Sequence, residues 1–509
     1  MPVAPSFVDT VPAVRGRTVA GLTATLSLLT ALALAVATAA PAQAAVPDPR
    51  LATRLSAVLA DPRVQRADSG AVVLDGSSGS VLHGRRASRA LVPASTTKLV
   101  TAAAAMDRLG PGYRFRTEVY RRASLTGGTV RGHLYLKGYG DPTTRQSDYR
   151  SLAEQVRAAG VRRFTGSLVA DATYFDATRY NPGWSTGYAD DYYAAETSGL
   201  TVAPNADLDA GTVIINHAPG RQGAKARVTT TPAAAAAHVR IDNRTTTGSS
   251  TSSSTVTVRR SHGSNTITVS GRVPRGRPTG HTLVTVHRPE LYAAAVLRAE
   301  LAKVGVSVAG ATVTRALPAT GRHRLARDTS MPLADLLVPF LKLSNNAHAE
   351  ALTKAMAART RPGTPGSWPA GLAVTTSYLR RLGVPMAGVS LTDGSGLSRR
   401  NRLTALALAT TLQKVRREPW SARFTAALPV AGNPARMVGG SLRARMRGTA
   451  AADNARAKTG SLTGVTALAG YVRGRDGRTY VYAMLSTYSG SSPRPVEDEL
   501  VVTLAGWRR

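Results

Sequence analysis

The sequence predicts an α+β protein: an antiparallel sheet flanked by helices, assembled from both ends of the chain, with a large β-rich insert between them. Three observations predict it. Short apolar runs joined by turn residues lie near both termini, at 71–74 and 80–82 and again at 465–472 and 479–486. Helical periodicity occupies 95–109 and returns at 289–304, 333–356, 371–382 and 404–415. Between them, from 115 to 282, alternating segments replace the helical pattern. The expected division is therefore 1–45 as a leader, 46–114 as the first part of the helix-flanked domain, 115–282 as the insert, in one or two lobes, and 283–509 as the second part.

The leader carries Arg15 and Arg17, then an apolar stretch over 19–39, then Ala42-Gln43-Ala44 as a small-x-small cleavage site. A mature chain beginning near Ala45 or Val46 is expected to be extracytoplasmic, secreted or wall-associated. An uncleaved anchor is the alternative, because the apolar run is long enough to span a bilayer. No later segment has that length and apolarity.

Residues 51–59 read as a helix with Ala52, Leu55, Val58 and Leu59 on one side. The strand at 71–74 should turn back through Asp75-Gly76-Ser77-Ser78-Gly79 into 80–82, and the two should pair with the C-terminal hairpin turning at 473–478. Within the insert, strands are expected at 116–120, 130–136, 167–171, 211–215, 239–241, 256–258 and 267–269. The Ser/Thr tract 245–255 reads as a loop, and 181–193 as an aromatic, acidic loop region. The last residues, 497–509, read as an amphipathic helix.

Hydrophobic residues make up 43% of the chain and charged residues 19%, enough for a packed core. The absence of cysteine excludes disulfides, thiolate metal sites and cysteine nucleophiles. A formal charge of +35 favours anionic neighbours. Aromatics are only 5% and are not interleaved with basic clusters, which argues against nucleic acid and leaves anionic wall polymers as the better candidate. The nine histidines are scattered, and His348 and Glu350 stand only two apart, so no metal pair is expected and no cofactor is called for.

Chemistry is suggested by Pro93-Ala94-Ser95-Thr96-Thr97-Lys98-Leu99. On a helix, positions i and i+3 share a face, so the Ser95 hydroxyl and the Lys98 amine can meet. A lysine held in apolar surroundings loses solvation, its pKa falls, and it can take the serine proton. The chain has eight lysines against 57 arginines, and Lys98 alone has a serine three residues before it. Arginine cannot serve as the base. Two further short motifs each occur once: Ser344-Asn345-Asn346, at a helix or its end, and Lys458-Thr459-Gly460, followed by Ser461, entering the terminal hairpin. In that order, Ser-x-x-Lys, Ser-x-Asn and Lys-Thr-Gly form the signature of serine acyl-transfer enzymes that react with penicillins. Ser95 would be the nucleophile, Lys98 its base, Ser344 and Lys458 a proton relay, and Asn346 a support for the substrate amide. Lys458, Thr459 and Ser461 offer a charge and two hydroxyls to a substrate carboxylate, Gly460 lets a ligand approach the strand closely, and the backbone N–H groups of Ser95 and Ser461 would face the oxyanion.

With 249 positions between Ser95 and Ser344, and the insert filling them, the chain resembles the class C low-molecular-mass penicillin-binding proteins, the D-alanyl-D-alanine carboxypeptidase/endopeptidase family. Leu391-Thr392-Asp393-Gly394-Ser395-Gly396-Leu397-Ser398-Arg399 resembles that family's Asp-Gly-Ser-Gly-Leu-Ser loop, and Gly138-Tyr139-Gly140-Asp141-Pro142 its Gly-x-Gly-Asp-Pro turn. The resemblance implies a β-lactamase-like domain and cleavage of the terminal D-Ala from peptidoglycan stem peptides. It also implies cutting of D-Ala–diaminopimelate cross-links in some members, and acylation of the same serine by β-lactam antibiotics. It further implies that Arg399 meets the diaminopimelate carboxylate and Asp171 the amine.

A β-lactamase or esterase of the same fold is one alternative. No glutamate or glutamine lies between 351 and 412 to activate a deacylating water, which argues against it. A wall-binding or sensor module without turnover is another; the intact motifs speak against it. Gly183-Trp184-Ser185-Thr186-Gly187 matches a nucleophile-elbow pattern but lacks the strand before and the helix after that such an elbow needs.

Overall fold

The computed structural model describes residues 48–508; the expected leader lies outside them. The central sheet has five antiparallel strands in the spatial order Arg456–Leu462, Val465–Arg473, Thr479–Thr487, Asp68–Asp75, Val81–Arg85. The two ends of the chain meet as the apolar runs require, with Asp68 opposite Thr487 and Asp75 opposite Tyr480.

Both faces of this sheet are covered, so its inner strands carry apolar residues at successive positions. Val72, Leu74, Val481, Ala483 and Leu485 face a helical layer that includes Thr97–Arg108, Leu333–Lys342, Asn346–Thr360, Trp368–Arg381 and Ala405–Val415. Ala71, Val73, Tyr480, Tyr482 and Met484 face the first and last helices, Pro49–Leu59 and Arg494–Gly506. Helix Thr97–Arg108 lies inside the helical layer, and Thr97 through Met106 are all buried. Its run of small and apolar residues from Leu99 to Met106, broken only by Thr101, follows from that position.

The periodic stretch 333–356 is two helices rather than one. It breaks at 343–345, where Ser344 adopts a left-handed conformation (φ 62°) and the Asn345 side chain caps the second helix by accepting from His348 N–H.

The insert holds a second five-stranded sheet in the order Thr312–Thr314, Leu168–Asp171, Leu134–Gly138, Arg116–Arg121, His323–Thr329. A small four-stranded sheet and two three-stranded sheets complete it. Two features differ from expectation. Helices Gln146–Ala158 and Pro289–Lys303 pack together in the insert's core, on Leu152, Val156, Leu297 and Leu301. Strands Thr312–Thr314 and His323–Thr329 pair with insert strands, and Gly280–Thr285 runs across position 282. We therefore propose that the insert extends to about residue 329. The Ser/Thr tract is also only partly a loop: Arg240–Gly248 is a strand in parallel register with Thr266–Pro274, burying Thr245 and Thr247. β-Branched threonines suit a pleated surface, which composition alone concealed.

Leu504 in the last helix is fully buried under the central sheet. Leu504→Ala should cost about 2–5 kcal/mol, read as a lowered denaturation midpoint. A change within error would mean that this helix does not seal the sheet.

Candidate active site

Ser95 lies in a single 3-10 turn, Ala94–Thr96, that leads directly into helix Thr97–Arg108. Ala94 before it has φ 45°, a conformation alanine rarely adopts. Two glycines hold the turn from opposite sides. A Cβ on Gly460 would come within 2.6 Å of the Pro93 carbonyl oxygen, and one on Gly396 within 1.8 Å of the Ala94 carbonyl oxygen. This explains the glycine of Lys-Thr-Gly and the second glycine of the 393–396 loop: both backbones press against the turn that carries Ser95.

Lys98 is fully buried. Its Nζ makes three contacts: Ser95 Oγ at 2.8 Å, Asn346 Oδ1 at 2.6 Å and the Ser395 carbonyl at 2.9 Å. Two of these partners only accept hydrogen bonds, whereas the serine hydroxyl can also donate. An amine that loses its proton here keeps two N–H donors on Asn346 and Ser395, and its lone pair is left facing Ser95. Burial lowers the Lys98 pKa from 10.5 to about 7, against the opposing pull of Glu350 and Asp393.

Asn346 reaches this pair by direct contact, and Lys458 lies close enough to feel the Lys98 charge. Asn346 opens helix Asn346–Thr360 and is fixed by donating from Nδ2 to the Tyr193 carbonyl at 2.7 Å, which leaves one N–H of its amide for a ligand. Ser344 sits in the helix break, half-buried, and its hydroxyl has no hydrogen-bond partner among the described residues. Lys458 is fully buried and donates to the Thr459 carbonyl at 3.0 Å. Burial, then the nearby charge of Lys98, push its pKa well down. Thr459 Oγ1 donates to Ser441 Oγ, and Ser461 is exposed. Strand Arg456–Leu462, which carries all of this motif, is an edge of the central sheet.

Sequence reasoning missed the support beneath Lys98. Glu350, four residues after Asn346 and hence one turn along the same helix face, is fully buried. Its carboxylate accepts from Gly394 N–H and Ser395 N–H at 2.9 Å each, and from the Trp368 indole at 2.7 Å. It thus grips the peptide whose carbonyl holds Lys98. Asp393 accepts from the N–H groups of Gly396 and Ser398, the Asn401 amide and the Trp184 indole, which closes the loop 393–401 on itself. Burial, and then Asp393, raise the Glu350 pKa. The only signal available beforehand was the i+4 spacing from Asn346.

Arg399 is exposed and donates to the Thr463 carbonyl at 2.5 Å, at the turn after Lys-Thr-Gly-Ser. A second cation stands there unanticipated: Arg494, the first residue of the last helix, donates to Ser461 Oγ at 3.1 Å. Asp171 is not brought to this group. It is fully buried in the insert, where Lys137 Nζ (2.6 Å), Leu317 N–H, Thr173 N–H and Thr173 Oγ1 take both its oxygens. No oxygen of Asp171 is left for a substrate amine. The decoy Ser185 caps a short 3-10 turn by accepting from Gly187 N–H, with no strand before it. Among the described residues no cluster of three His, Asp or Glu could hold a metal.

The family described as D-Ala-D-Ala carboxypeptidase 3 (S13) matches residues 51–506. The D-alanyl-D-alanine carboxypeptidase of Actinomadura sp. (strain R39) is 39% identical over 453 residues, covering 89% of this chain and 84% of that protein. The D-alanyl-D-alanine carboxypeptidase DacB of Haemophilus influenzae is 26% identical, covering 77% and 79%. The crystal structure of penicillin-binding protein 4 (dacB) from Haemophilus influenzae has a TM-score of 0.74 at 24% identity, covering 89% of this chain and 98% of that one.

Glu350→Gln keeps the shape but removes the charge and one of the acceptor oxygens. The rate of penicillin acylation should fall by about 10- to 100-fold. Its acid limb should move to lower pH, because the carboxylate raises the Lys98 pKa. An unchanged rate and pH profile would make Glu350 a packing residue only.

Proposed function

This chain belongs to the D-Ala-D-Ala carboxypeptidase 3 (S13) family, and we propose that it removes the terminal D-Ala of peptidoglycan stem peptides through an acyl-enzyme on Ser95. The observation that carries the reading is the 2.8 Å contact between Ser95 Oγ and an amine fully buried with a pKa near 7. Neutral Lys98 takes the hydroxyl proton as Ser95 Oγ attacks the carbonyl carbon of the penultimate D-Ala. The backbone N–H groups of Ser95 and Ser461 receive the developing oxyanion. The C–N bond then breaks, and the leaving amine takes a proton through Ser344 and Lys458. Water, with Lys98 again as base, hydrolyses the ester and frees Ser95.

Binding follows from the sheet edge. Strand Arg456–Leu462 is bridged on its outer side at Arg456 by Val430, and beyond that start it has no sheet neighbour there among the described residues, so an extended peptide can lie along its Lys-Thr-Gly-Ser part as an added strand. The terminal carboxylate would meet Thr459 and Ser461, with Arg494 behind, while Arg399 takes the diaminopimelate carboxylate and the spare N–H of Asn346 the scissile region's amide. Cross-link cleavage is the same chemistry on a longer leaving group. β-Lactam antibiotics would acylate Ser95 as well; a Haemophilus influenzae relative of this fold has been solved with a novel β-lactam. Glu350 cannot act as a deacylating base, since its oxygens are occupied and it is fully buried. This favours a long-lived penicilloyl-enzyme over a β-lactamase. The substrate lies outside the cytoplasm, so residues 1–45 are read as an export leader; no helix among the described residues is long and apolar enough to cross a membrane.

Fluorescent penicillin should label the protein and fail to label Ser95→Ala. The rate of labelling should climb with pH up to about 7 and then level, because Lys98 is a base only above its pKa. Unlabelled wild type, or a rate flat from pH 5 to 9, contradicts the assignment. Arg399→Ala should lower kcat/KM for a diaminopimelate pentapeptide by about tenfold or more, with little change for a peptide lacking that carboxylate. Equal losses on both would place Arg399 outside the specificity site.

A further inference from the structure

A cavity of about 590 Å³ opens where the C-terminal end of helix Asn346–Thr360 meets the insert. Four of its lining residues are cations, Arg114, Arg116, Lys137 and Arg359, and none is acidic. Three tyrosines, Tyr113, Tyr139 and Tyr174, share the wall, in a chain where aromatics are only 5%.

Arg114, Arg116 and Arg359 are exposed, but most of the group is tied to fixed neighbours. The Arg116 guanidinium stacks on the Tyr139 ring, 3.9 Å from its centroid, and Lys137 Nζ lies 5.5 Å from the same ring. Tyr139 and Tyr174 pack edge to face at 5.4 Å. Arg114 is tied to the Ser330 carbonyl at 2.7 Å, and Lys137 to Asp171 at 2.6 Å. Nearby carboxylates neutralise only part of the group: Asp171 pairs with Lys137. Glu118 lies 3.8 Å from Arg116 but is shared with Arg324 and Arg327, and neither Arg114 nor Arg359 is in an ion pair among the described residues. Positive charge in excess, fixed beside aromatic faces, suits an anion mounted on a ring. The ring stacks on tyrosine while the acid meets the guanidinium groups.

None of the acyl-transfer residues lines this cavity. Arg359 stands thirteen residues after Asn346 on one helix, about 20 Å along its axis. We propose that the cavity is a docking site for an acidic sugar, bearing a carboxylate or a phosphate, on the wall polymer that presents the stem peptide. The inference rests on the carboxypeptidase reading above. It gives the insert a task, holding the polymer while the peptide reaches Ser95, and narrows the role of the chain's +35 charge to one place.

The test uses the mature protein, its Ser95 blocked with benzylpenicillin, titrated by NMR with N-acetylmuramic acid, glucose 1-phosphate and neutral N-acetylglucosamine. The acidic sugars should bind and the neutral one should not; the tighter of the two acids identifies carboxylate or phosphate as the natural group. Arg114→Ala/Arg359→Ala should weaken that binding at least about tenfold. In the unblocked enzyme it should lower kcat/KM on polymeric wall fragments by a similar factor, while a short soluble D-Ala-D-Ala peptide is cleaved as before. Equal binding of the neutral sugar, undiminished binding by the double variant, or parallel losses on polymer and short peptide would each overturn the proposal. A wild type that binds acidic sugars but is never labelled by penicillin would instead strike at the carboxypeptidase reading and leave this site standing.

Discussion

The fold depends on one costly placement: an ammonium carbon chain buried completely, with its nitrogen among three oxygens. Moving the Lys98 pKa from 10.5 to about 7 corresponds to roughly 5 kcal/mol against the charged form. The rest of the domain supplies what makes this tolerable. The amine is not left unsatisfied, since Ser95, Asn346 and Ser395 take all three of its bonds. Because two of those partners can only accept, deprotonation has one direction in which to present a base.

Each partner is itself fixed from a different part of the chain. Ser95 is held by a turn clamped between Gly460 and Gly396. Asn346 is held by the helix cap at Asn345 and by the Tyr193 carbonyl from the insert. Ser395 is held by Glu350, and Glu350 by Trp368. The site therefore joins six distant segments, and preorganisation of this kind is what lets a weak hydroxyl react without solvent reorganisation. The same helix that begins at Asn346 ends at the cationic, tyrosine-lined cavity, so one rigid rod links the reacting centre to the insert.

Much of this was legible in the sequence because arginine supplies almost all the positive charge. A lysine in such a chain is informative: burial lowers the pKa of four of the eight, Lys98, Lys342, Lys354 and Lys458. Strand pairing between the chain ends was readable from continuous apolar runs, and the helices from their period. What escaped has physical reasons. Glu350 carries no motif, and its partners, the 394 and 395 backbone amides, come from a loop brought in by tertiary packing. Arg494 was one arginine among 57. Asp171 ends a strand as expected, yet the cation that consumes it, Lys137, sits on the neighbouring strand, which only register reveals. Our proposed later end of the insert rests on strands of three and seven residues, Thr312–Thr314 and His323–Thr329, which follow a helix that resembles those of the other domain.

The sparseness of lysine makes the central claim directly measurable. Protein labelled with 13C at lysine Cε has only eight such positions, and Lys98 is assigned by the signal lost in Lys98→Met. The account predicts that this signal titrates with a midpoint near pH 7 and stops titrating there once Ser95 carries a penicilloyl group. A Lys98 signal that keeps its proton up to pH 10 would contradict it.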